Sequence, residues 1–366
     1  MEVWSKVMET GATPPVDIYP FLHWLPQKVF TNWIDRATHV RNEMNNLYAD
    51  FLHDIRLRRN RIGNRGSFID KVLDTAENEK RPEGLTFSDH ELYFMGGTAT
   101  EGGSDTSASI ITAFVHAMAA HPDIQRKAQI QIDSVVGPDR SPTWQDFPRL
   151  PYIAQCVKET MRWRPVTPLA FPHALAEDDW ISASPPPPSS SSPSEKTPQY
   201  LLPKGTTIIL NAWGIHHDST RFRNPETFDP DHYASTTPTT LATELANGSW
   251  EKRDHYGYGA GRRFCPGAHL AERNLFLAMA KLLWGFNILP PPPAPAQDKK
   301  KGARPADLDL DPRTGYSAGF LVCAKDFEAG FEVRGREREA TIRREYEEAE
   351  REVFGRFEAC GEGERA

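Results

Sequence analysis

The residues with the greatest chemical potential lie in one short run, Tyr256-Gly257-Tyr258-Gly259-Ala260-Gly261-Arg262-Arg263-Phe264-Cys265-Pro266-Gly267, which leads directly into a helical pattern. A lone cysteine is most often a small buried hydrophobe. Three features of this run argue for more. Gly259 and Gly261 permit an irregular loop whose amides can point at the sulfur. The helix that follows places its positive N-terminal end beside Cys265, and Arg262 and Arg263 add cationic charge. All three are expected to favour the thiolate, the form that attacks electrophiles and ligates metals. The other cysteines, Cys156, Cys323 and Cys360, are distant in sequence and form no CxxC, which excludes a multi-thiolate cluster. A single axial thiolate on haem iron fits.

Such a loop needs helices to hold it. Pro266 to Phe286 reads as the helix that carries it. A longer helix is expected over Ser88 to Ala120, opened by the capping pattern Ser88-x-x-Glu91 and closed by His121-Pro122. At 1.5 Å per residue it would be on the order of 50 Å long. Gly96, Gly97, Gly102 and Gly103 interrupt it, each costing roughly 1 kcal/mol relative to Ala. The pattern alone leaves two readings: two shorter helices joined by a glycine loop, or one helix that lets something approach its backbone. Amphipathic spacing adds a helix over Gln27 to Arg61, a short one over Phe68 to Leu73, and others over Pro122 to Val136 and Pro151 to Arg164. Strands are expected within 170–212, most clearly TTIILN at 206–211. ISASPPPPSSSSPSEKTPQ (181–199) and PPPPAPAQDKKK (290–301) read as low-complexity loops, and the mixed charges of Arg336 to Arg356 as a solvated helix.

Composition limits the function classes. The chain has 366 residues, 43 Lys+Arg against 50 Asp+Glu, a net charge of −7 and 39% hydrophobic residues. That is enough apolar material for a sizeable core and excludes a wholly disordered chain. The acidic balance argues against a nucleic-acid binder. The scattered cysteines fit a reducing compartment. The first residues lack a signal-peptide pattern, and the longest apolar stretch, Ile110 to Ala120, is too short to cross a bilayer. No membrane anchor is expected in this chain.

The motif Gly-x-Gly-Arg-Arg-Phe-Cys-Pro-Gly resembles the cysteine loop of the cytochrome P450 family, the haem-thiolate monooxygenases. Further motifs follow the same pattern in order. Gly102-Gly103-Ser104-Asp105-Thr106-Ser107 is similar to the family's oxygen-binding helix segment. Glu159-Thr160-Met161-Arg162 resembles its E-x-x-R. Phe228-Asp229-Pro230-Asp231-His232-Tyr233 resembles the partner motif, with His232 where the family has Arg. Asn211 to Asp218 matches the segment after a family strand, and Pro172-His173 the place of a basic propionate partner. Tyr258 stands where Phe is usual, which keeps the ring.

The resemblance implies a mainly α fold with a minor β part, P450-like and N-terminally truncated, because the match begins at a mid-domain segment, Pro14 to Pro20. It implies an incomplete haem-thiolate domain over 1–335 and a charged helical tail over 336–366. It implies haem b (iron protoporphyrin IX) bound through Cys265 as the iron ligand, with Arg263 and His173 at the propionates, Gly259 shaping the loop and Gly267 allowing close approach. Asp105 and Thr106 would handle protons, and Glu159, Arg162 and His232 would form a structural lock. Met95, Gly102, Val166 to Leu169 and Gly319-Phe320 would touch substrate. The implied activity is insertion of one oxygen atom from dioxygen into an apolar small molecule of secondary metabolism, as in filamentous-fungal members. Haem-thiolate enzymes that rearrange peroxides often lack the threonine, so Thr106 favours monooxygenation. Electrons would come from NADPH through a cytochrome reductase. The full-length protein would sit on the cytosolic face of the endoplasmic reticulum, and this chain alone in the cytoplasm. The alternative is a non-catalytic remnant, or a gene read from the wrong start, that cannot close a haem pocket.

Overall fold

A computed structural model describes residues 16, 19–26, 28, 32–77, 87–182, 199–235, 241, 244, 253–291 and 308–354. Most of the Ser/Pro tract, most of the Pro/Lys-rich loop, Pro14, Pro15 and the chain beyond residue 354 lie outside them. The helices are α1 (Trp33–Ile62), α2 (Phe68–Glu77), α3 (Asp89–Ala120), α4 (Pro122–Val135), α5 (Pro151–Trp163), α6 (Ala212–His216), α7 (Ala268–Gly285) and α8 (Arg336–Ala349). The strands β1 (His173–Ala174), β2 (Asp179–Ser182), β3 (Gln199–Leu202), β4 (Thr207–Ile208), β5 (Phe286–Leu289) and β6 (Gly330–Val333) pair as antiparallel ribbons β1–β4, β2–β3 and β5–β6. Helix therefore dominates with a minor β part. The strand expected over 206–211 shrinks to two residues, since only His173↔Ile208 and Ala174↔Thr207 pair and both strands face solvent.

The glycine-rich α3 is one continuous helix. The Ser88 hydroxyl accepts the Glu91 amide at 3.3 Å, and the Glu91 carboxylate accepts the Ser88 amide at 2.8 Å. Packing explains two of its glycines. A Cβ at Gly97 would lie 2.2 Å from the Tyr48 ring of α1, and one at Gly96 would lie 3.1 Å from Ile69 of α2. The helices approach too closely for any side chain at 97, and the burial gained offsets the propensity lost. Tyr48 also donates to Glu101 Oε2 at 2.5 Å, fastening α1 to α3.

Two apolar clusters share α3. Leu92, near its start, packs with Leu52, Ile69 and Leu73. Its last three turns supply Ile110, Phe114, Ala117 and Met118 to a larger cluster with Ile132 of α4, Ile153 and Val157 of α5, and Leu275, Met279 and Leu283 of α7. Full burial of each such side chain is worth roughly 1.5–3 kcal/mol. Helix α5 is buried on every side from Tyr152 to Trp163.

Side-chain amides tie α4 to β5. Gln125 donates to Ile288 O at 2.9 Å and accepts from Ile288 N at 2.7 Å, and Gln129 donates to Phe286 O at 3.1 Å.

The charged segment expected as a solvated tail is docked. Arg334 and Arg338 both pair with Asp133 of α4 at 2.7 and 2.8 Å. Glu345 accepts from the Ser141 amide and hydroxyl, Thr341 is buried, and Ile342 packs on the larger cluster. A single i,i+4 pair, Arg343–Glu339, fits the solvated reading. Helix α8 ends in a π-helical stretch, Glu350–Phe354.

Candidate functional site

The cysteine loop is built by its backbone. Gly259 (φ +74°) and Gly261 (φ +64°) occupy the left-handed region that other residues avoid. Their turns let Gly259 N donate to Tyr256 O and Cys265 N to Tyr258 O, each at 2.9 Å. Arg253, outside the motif, donates from Nη1 to Gly259 O at 3.1 Å. Gly267 then opens α7, and a Cβ there would stand 3.9 Å from the Cys265 sulfur. The sulfur is half-buried and receives the amides of Gly267 and Ala268.

The electrostatics differ from the expectation of a thiolate favoured by three sources. Burial pushes the Cys265 thiol above its ordinary value, and only the Gly267 and Ala268 amides pull it down. Arg262 and Arg263 point into solvent and contribute nothing to the sulfur. The chain's own atoms therefore favour the thiol, and a metal ion, were one bound at the sulfur, would supply the charge that stabilises the thiolate.

Beneath this loop Glu159 and Arg162 form a pair with no solvent exposure. Arg162 Nε reaches Glu159 Oε2 at 2.7 Å and Nη2 reaches Oε1 at 2.8 Å. Its remaining donors go to the carbonyls of His216 (2.9 Å), Pro225 (2.7 Å) and Thr227 (3.1 Å). All guanidinium donors are thus satisfied. Glu159 also accepts the Asp229 amide at 2.7 Å and faces His232 Nδ1 at 3.2 Å. His232 Nε2 meets Arg223 O at 2.6 Å. With both nitrogens facing acceptors, the contact to Glu159 raises the His232 pKa above its usual value despite burial. The three residues of the expected lock meet in one place.

The other expected site residues do not converge on chain partners. The middle of α3 is open: Thr98 to Thr100 and Gly102 to Ser104 are exposed, and a Cβ at Gly102 or Gly103 would touch nothing within 4 Å. Half-buried Thr106 donates its hydroxyl to Gly102 O at 2.6 Å. Half-buried Asp105, exposed Arg263 and exposed His173 have no side-chain partner among the described residues. Of the positions expected to touch substrate, Val166 and the 319–322 segment adjoin through Val322 N→Val166 O at 2.8 Å, and Phe171 packs on Phe320 at 4.6 Å. Met95 instead packs on the smaller apolar cluster beside α1 and α2.

These residues fit a haem. The half-buried Cys265 thiol faces two amides that suit an anionic sulfur, on a glycine loop that brings backbone close to it. Cys265 and Phe264 border the same cluster as Ile110, one turn beyond Thr106. Among the described residues no group of three His, Cys, Asp or Glu side chains offers an alternative metal site.

Three residues given no role by the motifs also hold the loop: Arg253 and His255, which lie outside them, and His216, inside the matched segment Asn211 to Asp218. Tyr256 N donates to His216 Nε2 at 2.8 Å, and Gly257 N to His255 Nδ1 at 3.2 Å. Their partners are main-chain groups, a carbonyl for Arg253 and amides for the two histidines, so no pairing of residue types in the sequence points to them.

Comparison with known proteins gives a consistent result. The cytochrome P450 family model matches residues 1–308. The chain is 48% identical over 357 residues to cytochrome P450 monooxygenase patH of Penicillium expansum, covering 98% of this chain and 61% of that protein. It is 46% identical over 363 residues to cytochrome P450 monooxygenase yanC of Aspergillus niger, covering 98% and 62%. The chain spans about three fifths of the length of these curated relatives. Among solved structures, a zebra fish cytochrome P450 determined with progesterone superimposes with a TM-score of 0.58 at 23% identity, over 82% of this chain and 59% of that one, a likeness of fold.

Proposed function

The chain belongs to the cytochrome P450 family, and from that premise we propose that it serves a monooxygenase in which Cys265 ligates haem iron and one atom of dioxygen enters an apolar small molecule. The observation that carries this reading is the Cys265 sulfur, half-buried, met by two amides and set on a loop whose backbone is closed by its own hydrogen bonds. Haem, when bound, supplies the iron at which dioxygen is activated. The chain's residues do the rest. Arg263 and His173, both free to turn, bind the propionates. The Thr106 hydroxyl, committed as a donor to Gly102 O, keeps its lone pairs to accept a hydrogen bond, and the Asp105 carboxylate, with no partner among the described residues, stands one residue away to relay protons. Apolar groups at 166–171 and 319–322 form a wall suited to an apolar substrate.

Electrons come from NADPH through a reductase. The fungal relatives support a place in secondary metabolism, at the cytosolic face of the endoplasmic reticulum. Among the described residues no helix is long and apolar enough to cross a membrane.

The carbon monoxide difference spectrum of the reduced, haem-supplied chain tests the assignment. A strongly red-shifted Soret band that Cys265→Ala abolishes is expected. Failure to take up haem, or a band that survives Cys265→Ala, overturns it. With the band in hand, Asp105→Asn or Thr106→Val should leave the spectrum unchanged and lower product formed per NADPH, with turnover down about 10²-fold.

A further inference from the structure

The first amides of the cysteine loop are held in an unusual way. Tyr256 N–H donates to His216 Nε2 at 2.8 Å, and the next amide, Gly257 N–H, donates to His255 Nδ1 at 3.2 Å. The two rings lie 6.3 Å apart, edge toward face, and both residues are buried, His216 completely. An imidazole can accept a hydrogen bond only when neutral, because imidazolium has donors alone. The surroundings enforce that state. Burial, followed by the charge of neighbouring groups, holds His216 well below the usual histidine range, and burial holds His255 down at about 4.

His216 also connects two parts of the molecule. Its carbonyl accepts Arg162 Nη1 at 2.9 Å, so the Glu159–Arg162 pair fixes its backbone while its ring fixes Tyr256. From Tyr256 the line continues through Gly259 N→Tyr256 O to the turn below Cys265, where Cys265 N meets Tyr258 O. Because Nε2 accepts, the His216 proton resides on Nδ1, and that nitrogen is buried without a hydrogen-bond partner among the described residues. A buried donor left unpaired is unfavourable for folding. Its presence here is better explained by what the other nitrogen holds than by stability.

We propose that His216 and His255 are positioning residues for the cysteine loop, two imidazole acceptors that hold its first amides and couple the loop to the buried Glu159–Arg162 pair. Neither touches the sulfur. Their effect is to fix where Tyr256 and Gly257 stand, and through the turn, where Cys265 presents its thiol. The importance of that placement for haem rests on Cys265 being the iron ligand. The clamp itself does not, so it can be read in the chain without haem.

The test compares loss of the acceptor with its replacement. His216→Leu and His255→Leu remove it. His216→Gln and His255→Asn place an amide oxygen near the lost nitrogen. Hydrogen exchange of the haem-free full chain is measured at the Tyr256 and Gly257 amides, with the amides of α7 as internal control. The Leu variants should speed exchange at the loop amides about tenfold relative to α7, and the Gln and Asn variants should restore protection. In the haem-supplied chain the Leu variants should shift part of the carbon monoxide band away from the thiolate position, with recovery in the same rescue variants. Unchanged loop exchange in the Leu variants, an equal rise across α7, or no rescue overturns the proposal. Should His216→Leu fail to fold, the His255 pair decides by the same criteria. A missing carbon monoxide band in the parent chain counts against haem ligation alone, because exchange in the haem-free chain still decides the clamp.

Discussion

The Glu159–Arg162 region and the middle of α3 are both built from motif residues, yet they are organised in opposite ways. Around Arg162 every donor has an acceptor from the chain itself, and the pair has no solvent exposure. Around Gly102, Asp105 and Thr106, one turn of a long helix lies open between two apolar clusters, and the Asp105 carboxylate has no partner among the described residues. Self-satisfied polar groups in low dielectric make a rigid support. Open groups on a rigid helix make a surface to which something else can be fitted. The chain thus separates a self-satisfied support beside the thiol loop from an open face on α3.

Substitutions can break or sharpen this contrast. Removing one partner of the buried pair, by Glu159→Ala or Arg162→Ala, leaves an uncompensated charge and should cost about 3–5 kcal/mol. Urea denaturation reads this as a large fall in midpoint, and a loss below about 1 kcal/mol would mean that the region is no more organised than a surface ion pair. Gly97→Ala puts a methyl group into the Tyr48 ring and should cost about 1–3 kcal/mol. Hydrogen exchange should rise in α1 and α2 while the larger cluster keeps its protection. Gly102→Ala has the opposite sign: a Cβ there meets nothing within 4 Å, so helix propensity should raise stability by up to about 1 kcal/mol. A lower melting temperature would show that the open turn is closed by contacts.

The smallest effect concerns pH. Glu159 raises the His232 pKa above 6.5, so the folded chain holds that proton more tightly than the unfolded one. The resulting stability is complete below the unfolded value, and it is lost as pH rises through the folded one. A mild alkaline decline, absent in His232→Arg, should appear in denaturation midpoints.

Much of the fold could be read directly. The Ser88 cap, the prolines at 122 and 151 and the apolar spacing locate helices to within a few residues, because these signals act locally. The continuity of α3 could not be read from pattern, since two of its glycines, Gly96 and Gly97, are explained by Ile69 and Tyr48, far away in sequence. The brief β1–β4 pairing and the docked α8 depend likewise on partners that only the folded chain brings near. At the site, Glu159, Arg162, His232 and Cys265 stand out by type and spacing. The carbonyls of His216, Pro225 and Thr227, and the amides of Tyr256 and Gly257, do not, because every residue carries the same backbone groups. Arg262 and Arg263 adjoin the sulfur in sequence, but proximity along the chain does not reveal that both side chains are exposed to solvent.

The glutamine contacts between α4 and β5 have a consequence for how the molecule meets its copies. By giving both its oxygen and its nitrogen to Ile288, Gln125 takes the place that a third strand would occupy along β5. An edge closed by a side chain cannot recruit a neighbour's backbone. The β2–β3 ribbon is different, with Trp180, Ile181, Tyr200 and Leu201 all exposed and its strands paired only with each other among the described residues. That ribbon therefore presents apolar side chains and unpaired backbone edges of the kind that the Gln125 contact denies to β5.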